Sequence, residues 1–203
     1  MKKYLILFVL GMFGLATKAQ KPIYFMGDGV VNDASRATSY GIYGKLSTED
    51  VWVLKRYDLY DNLMQTGSYK DENLTIPHGQ FVFYMDLAYF NMLGKENFKL
   101  KNKTRFKYQE GSFVDGLEQG TWTLFYPDGN ILNIQNYKNG KLDGEFKTLD
   151  RYGRIVVIGH FVNGKKEGEW ITEKGTKVEL YEQDVLKSTK SVKAEKDRQQ
   201  TKS

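Results

Sequence analysis

The chain has no cysteine, only two histidines and three prolines, and no long apolar run after residue 15. Without cysteine there can be no disulfide framework, no lipid anchor on a cysteine and no thiol nucleophile, so packing alone must hold the fold. The histidines, His78 and His160, sit in no Ser/His/Asp pattern and in no metal-ligand spacing. His78 follows Pro77 in a turn, and His160 falls on the strand face opposite Phe161. The stretch MGDGVVND offers Asp28, Asn32 and Asp33, but it lacks the alternating ligands and closing Glu of a calcium loop and reads as a plain loop. Carboxylates such as Glu118 and Glu167 are ordinary on solvated hairpins, and no phosphate-binding loop is present. The reading is therefore a chain with no enzymatic activity, no cofactor and no metal.

The first twenty residues, MKKYLILFVLGMFGLATKAQ, place Lys2 and Lys3 ahead of an apolar run from Tyr4 to Leu15, followed by small and polar residues. This is the layout of a secretory signal peptide over residues 1–19, with cleavage expected after Ala19. The run is short for a membrane span, and the mature protein is placed in the periplasm or outside the cell.

Formal charge is +5, but it is carried by the ends. Removing the three leader lysines and the net four positive charges of Lys187 to Ser203 leaves residues 20–186 at −2. A nucleic-acid-binding face needs a basic stripe on the folded body, so that partner is not expected. Residues 182–203 are poor in apolar side chains and read as a flexible basic tail.

What the chain has in abundance is glycine and aromatic residues at a fixed interval. Phe113, Tyr137 and Phe161 stand 24 residues apart; so do Gly116, Gly140 and Gly164, then Gly120, Gly144 and Gly168, then Trp122, Phe146 and Trp170. Chance agreement at all these positions is on the order of 10⁻⁸ per register, so the period is a structural unit. Asp115-Gly116, Asn139-Gly140 and Asn163-Gly164 are turn dipeptides, and a second turn follows in each copy. Two turns per 24 residues leave two short strands, hence a mainly β chain of repeated antiparallel hairpins in an elongated meander sheet. Gly120, Gly144 and Gly168, each two residues before an aromatic, are expected to leave room for a ring from the neighbouring strand.

The clearest copies are 113–136, 137–160 and 161–181, within a repeat domain spanning 51–181. A weaker copy upstream keeps Gly79 and Phe81, an insertion at 86–103 interrupts the pattern, and residues 20–50 read as an N-terminal cap. The runs YKNGKLDGEF and FVNGKKEGEW closely resemble the variant MORN repeat of bacterial proteins, often labelled antitoxin components of toxin-antitoxin systems. With the leader and the segment LMQTGSYKDENLTIPHGQFVFY, the chain is similar to exported MORN-variant proteins of Bacteroidota. The resemblance implies a β-hairpin array used for binding: a protein-interaction or scaffolding module in the cell envelope. The alternative is an antitoxin or immunity-type inhibitor that neutralises a toxin stoichiometrically. Contact with a lipid surface has no electrostatic support from the −2 body. Lys147 and His160, on the face opposite the aromatics, are the candidate binding residues for a protein partner.

Overall fold

The turn dipeptides close hairpins. Asp115 and Gly116 have φ of 54° and 84°, Asn139 and Gly140 51° and 76°, and Asn163 and Gly164 51° and 84°, the paired positive values that let a two-residue turn follow the strand twist. In the computed structural model, which describes residues 21–46, 49–94 and 96–192, the chain forms one antiparallel sheet of 15 strands. Its N-terminal part is β1 (Lys21–Met26), β2 (Gly29–Val31), β3 (Ser39–Leu46) and β4 (Val51–Asp58), followed by β5 (Leu63–Tyr69) and β6 (Gly79–Asp86). A short helix α1 (Leu87–Gly94) precedes β7 (Arg105–Val114) and β8 (Leu117–Phe125). Then come β9 (Ile131–Lys138), β10 (Lys141–Leu142), β11 (Gly144–Leu149), β12 (Ile155–Val162), β13 (Lys165–Thr172), β14 (Lys177–Glu182) and β15 (Val185–Ser191). From β3 to β15 the path is a meander, with β10 set aside on β9; β1 and β2 fold back beyond β3 and end the sheet with a three-residue strand. A short terminal strand leaves few unpaired backbone groups for other chains to join.

Both strand faces are filled by design of register. On one face a single cross-strand row runs Thr66, Val82, Glu110, Thr123, Ile134, Lys147, Ile158, Ile171, Val178 and Lys190. Its β-branched content suits a pleated, half-solvated surface. The other face carries the aromatic rings. Tyr69, Phe81, Phe113, Trp122 and Tyr137 form one chain of contacts, with centroids 4.9 to 6.3 Å apart, and Phe146, Phe161, Trp170 and Tyr181 form a second at 4.9 to 6.2 Å. Mostly tilted or edge-on, these pairs add about 0.5–1.5 kcal/mol each beyond their buried area. Trp122 is 3% exposed and Trp170 2%, and the indole N–H of each has no protein acceptor.

The glycines that make room for rings are not those expected. A Cβ built on Gly120 or Gly168 would meet nothing within 4 Å, and one on Gly144 would meet Asn136 Cβ at 3.0 Å. The rings instead lie over Gly67, Gly111 and Gly159 of the preceding strand, where a Cβ would penetrate Phe81, Trp122 and Trp170 respectively. Gly120 and Gly168 both take φ of 71° and Gly144 120° because the strand bulges there. Three residues, 120–122, face Gly111 alone, and 168–170 face Gly159 alone. A bulge with a positive φ at its first residue is a place where glycine is favoured for backbone rather than packing reasons.

That bulge aims the residue before it at the next hairpin turn. The side chains of His78, Gln119, Asp143 and Glu167 accept the N–H of Asp115 (3.3 Å), Asn139 (2.9 Å), Asn163 (3.0 Å) and Gln183 (2.9 Å). One residue earlier, the carbonyls of Pro77, Glu118, Leu142 and Lys166 accept the N–H of Gly116, Gly140, Gly164 and Asp184 at 2.7 to 3.0 Å. Each turn is thus clasped by the hairpin before it, in four copies rather than three.

The expected tail is shorter than 182–203. Gln183 and Asp184, at φ of 51° and 69°, close a tight turn without glycine, and Val185–Ser191 pairs with β14 as the sheet's edge strand, Leu186 facing Tyr181. Residues 193–203 and the leader with its cleavage site, residues 1–20, lie outside the described residues.

Candidate functional site at the break in the repeat

The twelve repeat residues, Phe113 through Trp170, are spent on turns, bulges and the aromatic face. Lys147 and His160 do share the opposite face: His160 is exposed and stands in register with Glu145 and Glu167, while Lys147 Nζ pairs with Glu145 Oε1 at 2.7 Å. His78 is the acceptor in a turn clasp. Asp33 accepts from the backbone and hydroxyl of Ser35, which holds its carboxyl below the ordinary value, and Asp28 pairs with Arg56 at 3.5 Å. Among the described residues no group of three or more His, Asp or Glu side chains could hold a metal.

The regular pairing fails at the insertion. β5 and β6 are in register only at Gln65–Phe83 and Thr66–Val82. Beyond Phe83 they part: β6 continues with β7, Met85 facing Phe106 and Asp86 facing Arg105, while β5 stays with β4. The opening is a groove of about 560 Å³. Its lining is largely apolar and aromatic, with Phe83, Met85, Tyr89 and Tyr108, plus the amides of Gln65 and Gln109.

Its charged lining residues, Asp28, Arg56, Asp86 and Arg105, are already partnered. Arg105 Nη2 reaches Asp58 Oδ2 at 2.9 Å, both side chains less than one-fifth exposed. Burial pushes the Asp58 carboxyl up, but the backbone and side-chain hydrogen bonds of Asn62, with those of Tyr60 and Arg105, outweigh it and hold the group below the usual carboxylate range. Arg56 lies over the Phe25 ring at 4.4 Å, donates to Ser39 Oγ at 2.9 Å and also donates to the Gly27 carbonyl. Burial raises the Tyr108 hydroxyl pKa.

Helix α1 covers the adjoining aromatics. Asp86 Oδ1 accepts the Tyr89 N–H at 2.9 Å, and Leu87 N–H bonds to Thr104 O at 2.8 Å, closing the insertion on itself. Asn91 grips the returning chain through Phe98 N–H and C=O at 2.9 and 3.0 Å. Phe90, Phe98, Phe106 and Tyr126 form a separate buried cluster under it, and Arg151 lies over Phe98 at 4.6 Å. Adjoining the first and sharing Met85 and Tyr108 with it is a second groove, about 310 Å³, lined also by Leu93, Glu96, Tyr126 and Leu132. The helix itself, LAYFNMLG, carries no charge, and Tyr89, Met92 and Leu93 are 50%, 65% and 60% exposed.

Concave apolar surface with a few amides suits the seating of side chains of a partner. The signal for this site in the sequence was the uncharged run inside the insertion, which repeat counting sets aside as an interruption. No family model matches the chain, and no curated protein does.

Proposed function

We propose that the chain is an exported variant MORN-repeat protein, without enzymatic activity, that serves as a protein-interaction or scaffolding module in the cell envelope. The observation that carries the reading is the apolar surface left open at the interruption of the repeat: two adjoining grooves beside α1, with Met92 and Leu93 exposed on the helix. In the regular copies the rings from Tyr69 to Tyr181 pack along one face of the sheet, and binding residues are often carried by the loops of a rigid scaffold. Export is supported by the composition of residues 1–19.

Affinity capture from an envelope fraction, with the mature chain as bait, tests the binding role. A reproducible protein partner is the expected result, and recovery of bait alone speaks against the proposal. Mass spectrometry of the native protein tests export: an N-terminus at Gln20 is expected, and an intact Met1 would overturn that part.

A further inference from the structure

Resting on that binding reading, we infer that the α1 insertion is the docking surface for an acidic, amphipathic segment of a partner protein: large apolar residues in the two grooves, flanked by carboxylates. The apolar half of the match is the two grooves of about 560 and 310 Å³ that share Met85 and Tyr108 beside α1, with Met92 and Leu93 exposed on the helix.

The charged half comes from the segment that returns from α1 to β7. From Phe98 to Lys101 the side chains alternate. Phe98 and Leu100 pack into the cluster under α1, while Lys99 and Lys101 are exposed. Lys103 is exposed as well, and none of the three pairs with a carboxylate among the described residues. The carboxylates that line the grooves are engaged: Asp28 with Arg56 and Glu96 with Arg151, both at 3.5 Å, and Asp86 as acceptor of the Tyr89 N–H, while Asp58 pairs with Arg105 at 2.9 Å. Free ammonium groups on the segment that returns from α1, in the same insertion that opens the unfilled apolar hollows, are complementary to a segment of opposite charge with apolar anchors. The hollows are concave, which favours the side chains of a protein over a lipid surface, since interfacial binding lays a projecting apolar face into the bilayer.

The test is selection of a random peptide library on the immobilised full chain, followed by affinity measurement of the selected peptides. Peptides bearing Asp or Glu beside Phe, Leu or Met are the expected class. Combined Lys99→Glu, Lys101→Glu and Lys103→Glu should weaken them at least about tenfold, as expected for three exposed pairs near 0.5 kcal/mol each, and should abolish the salt dependence. Met92→Ser with Leu93→Ser should weaken them to a similar degree, while Lys187→Glu with Lys190→Glu on β15 should not. All three variants alter exposed side chains, and a thermal melt checks that each is folded. Neutral or basic selected peptides, or binding indifferent to the insertion variants, overturn the inference. So does insertion-dependent binding to phosphatidylglycerol vesicles without peptide binding. If envelope capture finds a partner that the insertion variants still bind, this inference falls and the binding-module reading stands. If peptides behave as expected but capture finds nothing, it is the cellular role that falls.

Discussion

Trp170 lies across Gly159, so close that a Cβ there would penetrate the indole, and Trp122 lies in the same way across Gly111. The two pairs are 48 residues apart. Midway between them the sequence places Gln135 and Phe146, and Tyr137 Oη donates to Gln135 Oε1 at 2.9 Å. The packing unit is therefore a pair of 24-residue copies, one with a glycine under a tryptophan and one with a glutamine beside a smaller ring.

Gly111→Ala and Gly159→Ala should each destabilise by roughly 1–3 kcal/mol through overpacking. Gly120 and Gly168 have space but positive φ, so alanine there should cost about 1–2 kcal/mol, and asparagine, which tolerates that conformation, clearly less. Urea titration separates the two classes: asparagine should rescue position 168 and not position 159.

The middle copy can be converted to its neighbours' pattern. Phe146→Trp alone should be destabilising against Gln135, whereas Phe146→Trp with Gln135→Gly should recover stability. A double-mutant cycle should give a coupling of at least about 1 kcal/mol, within the usual range for residues in contact. Additive effects would mean that the Gly159–Trp170 geometry does not transfer to this position.

Removing a turn clasp should loosen one hairpin. Asp143→Ala strips the Asn163 N–H of its acceptor and should cost about 0.5–1.5 kcal/mol, with faster hydrogen exchange at that amide. Asp143→Asn, which retains an acceptor oxygen, should preserve most of the protection.

Stability should fall at both extremes of pH. The Asp115 carboxyl is held low chiefly by Lys70; for Asp150, burial acts against the shift, but the hydrogen bonds of Arg154 and Tyr152 outweigh it. Carboxylates depressed in the fold add stability that is present above their unfolded value of about 3.9 and is lost as pH falls through the lower folded value. The urea midpoint should therefore drop below about pH 4. At the other end, the hydrogen bond from Tyr40 to Asp61 (2.6 Å) raises the phenol to about 12. Its contribution is complete below the unfolded value of about 10 and is lost as pH rises toward the folded one. Tyr40→Phe should remove that part of the alkaline slope.

Truncation after Glu182 deletes β15 and bares β14. Compared with a chain ending at Val192, it should melt a few degrees lower, since each lost kcal/mol lowers the midpoint by roughly 2–4 °C at this size. Equal melting temperatures would mean that β15 adds no stability.

Much of this fold is legible in a period. Paired positive-φ turns strongly favour Asn, Asp or Gly, so the dipeptides at 115, 139 and 163 announce hairpins without a structure. What the period could not reveal is which glycine serves which purpose. Gly120 and Gly111 are both near Trp122, one in its own strand and one in the neighbour, and only register tells a bulge from a seat for a ring. The turn at Gln183-Asp184 was illegible because neither residue is glycine, and the polar strand after it looks like a tail. Lys147 and His160 were assigned to their face by strand alternation alone, whereas the grooves beside α1 depend on where β5 leaves β6, which no local pattern encodes.

The hydrogen-bonded order of the sheet runs from β15 to β2 without closing on itself, so its breadth is a matter of counting. At about 4.8 Å per strand, the path from one edge to the other spans on the order of 60 Å, and each 24-residue copy accounts for roughly 10 Å of it. Adding or removing one copy would therefore change the breadth of the sheet by that amount while leaving the strands at both edges as they are.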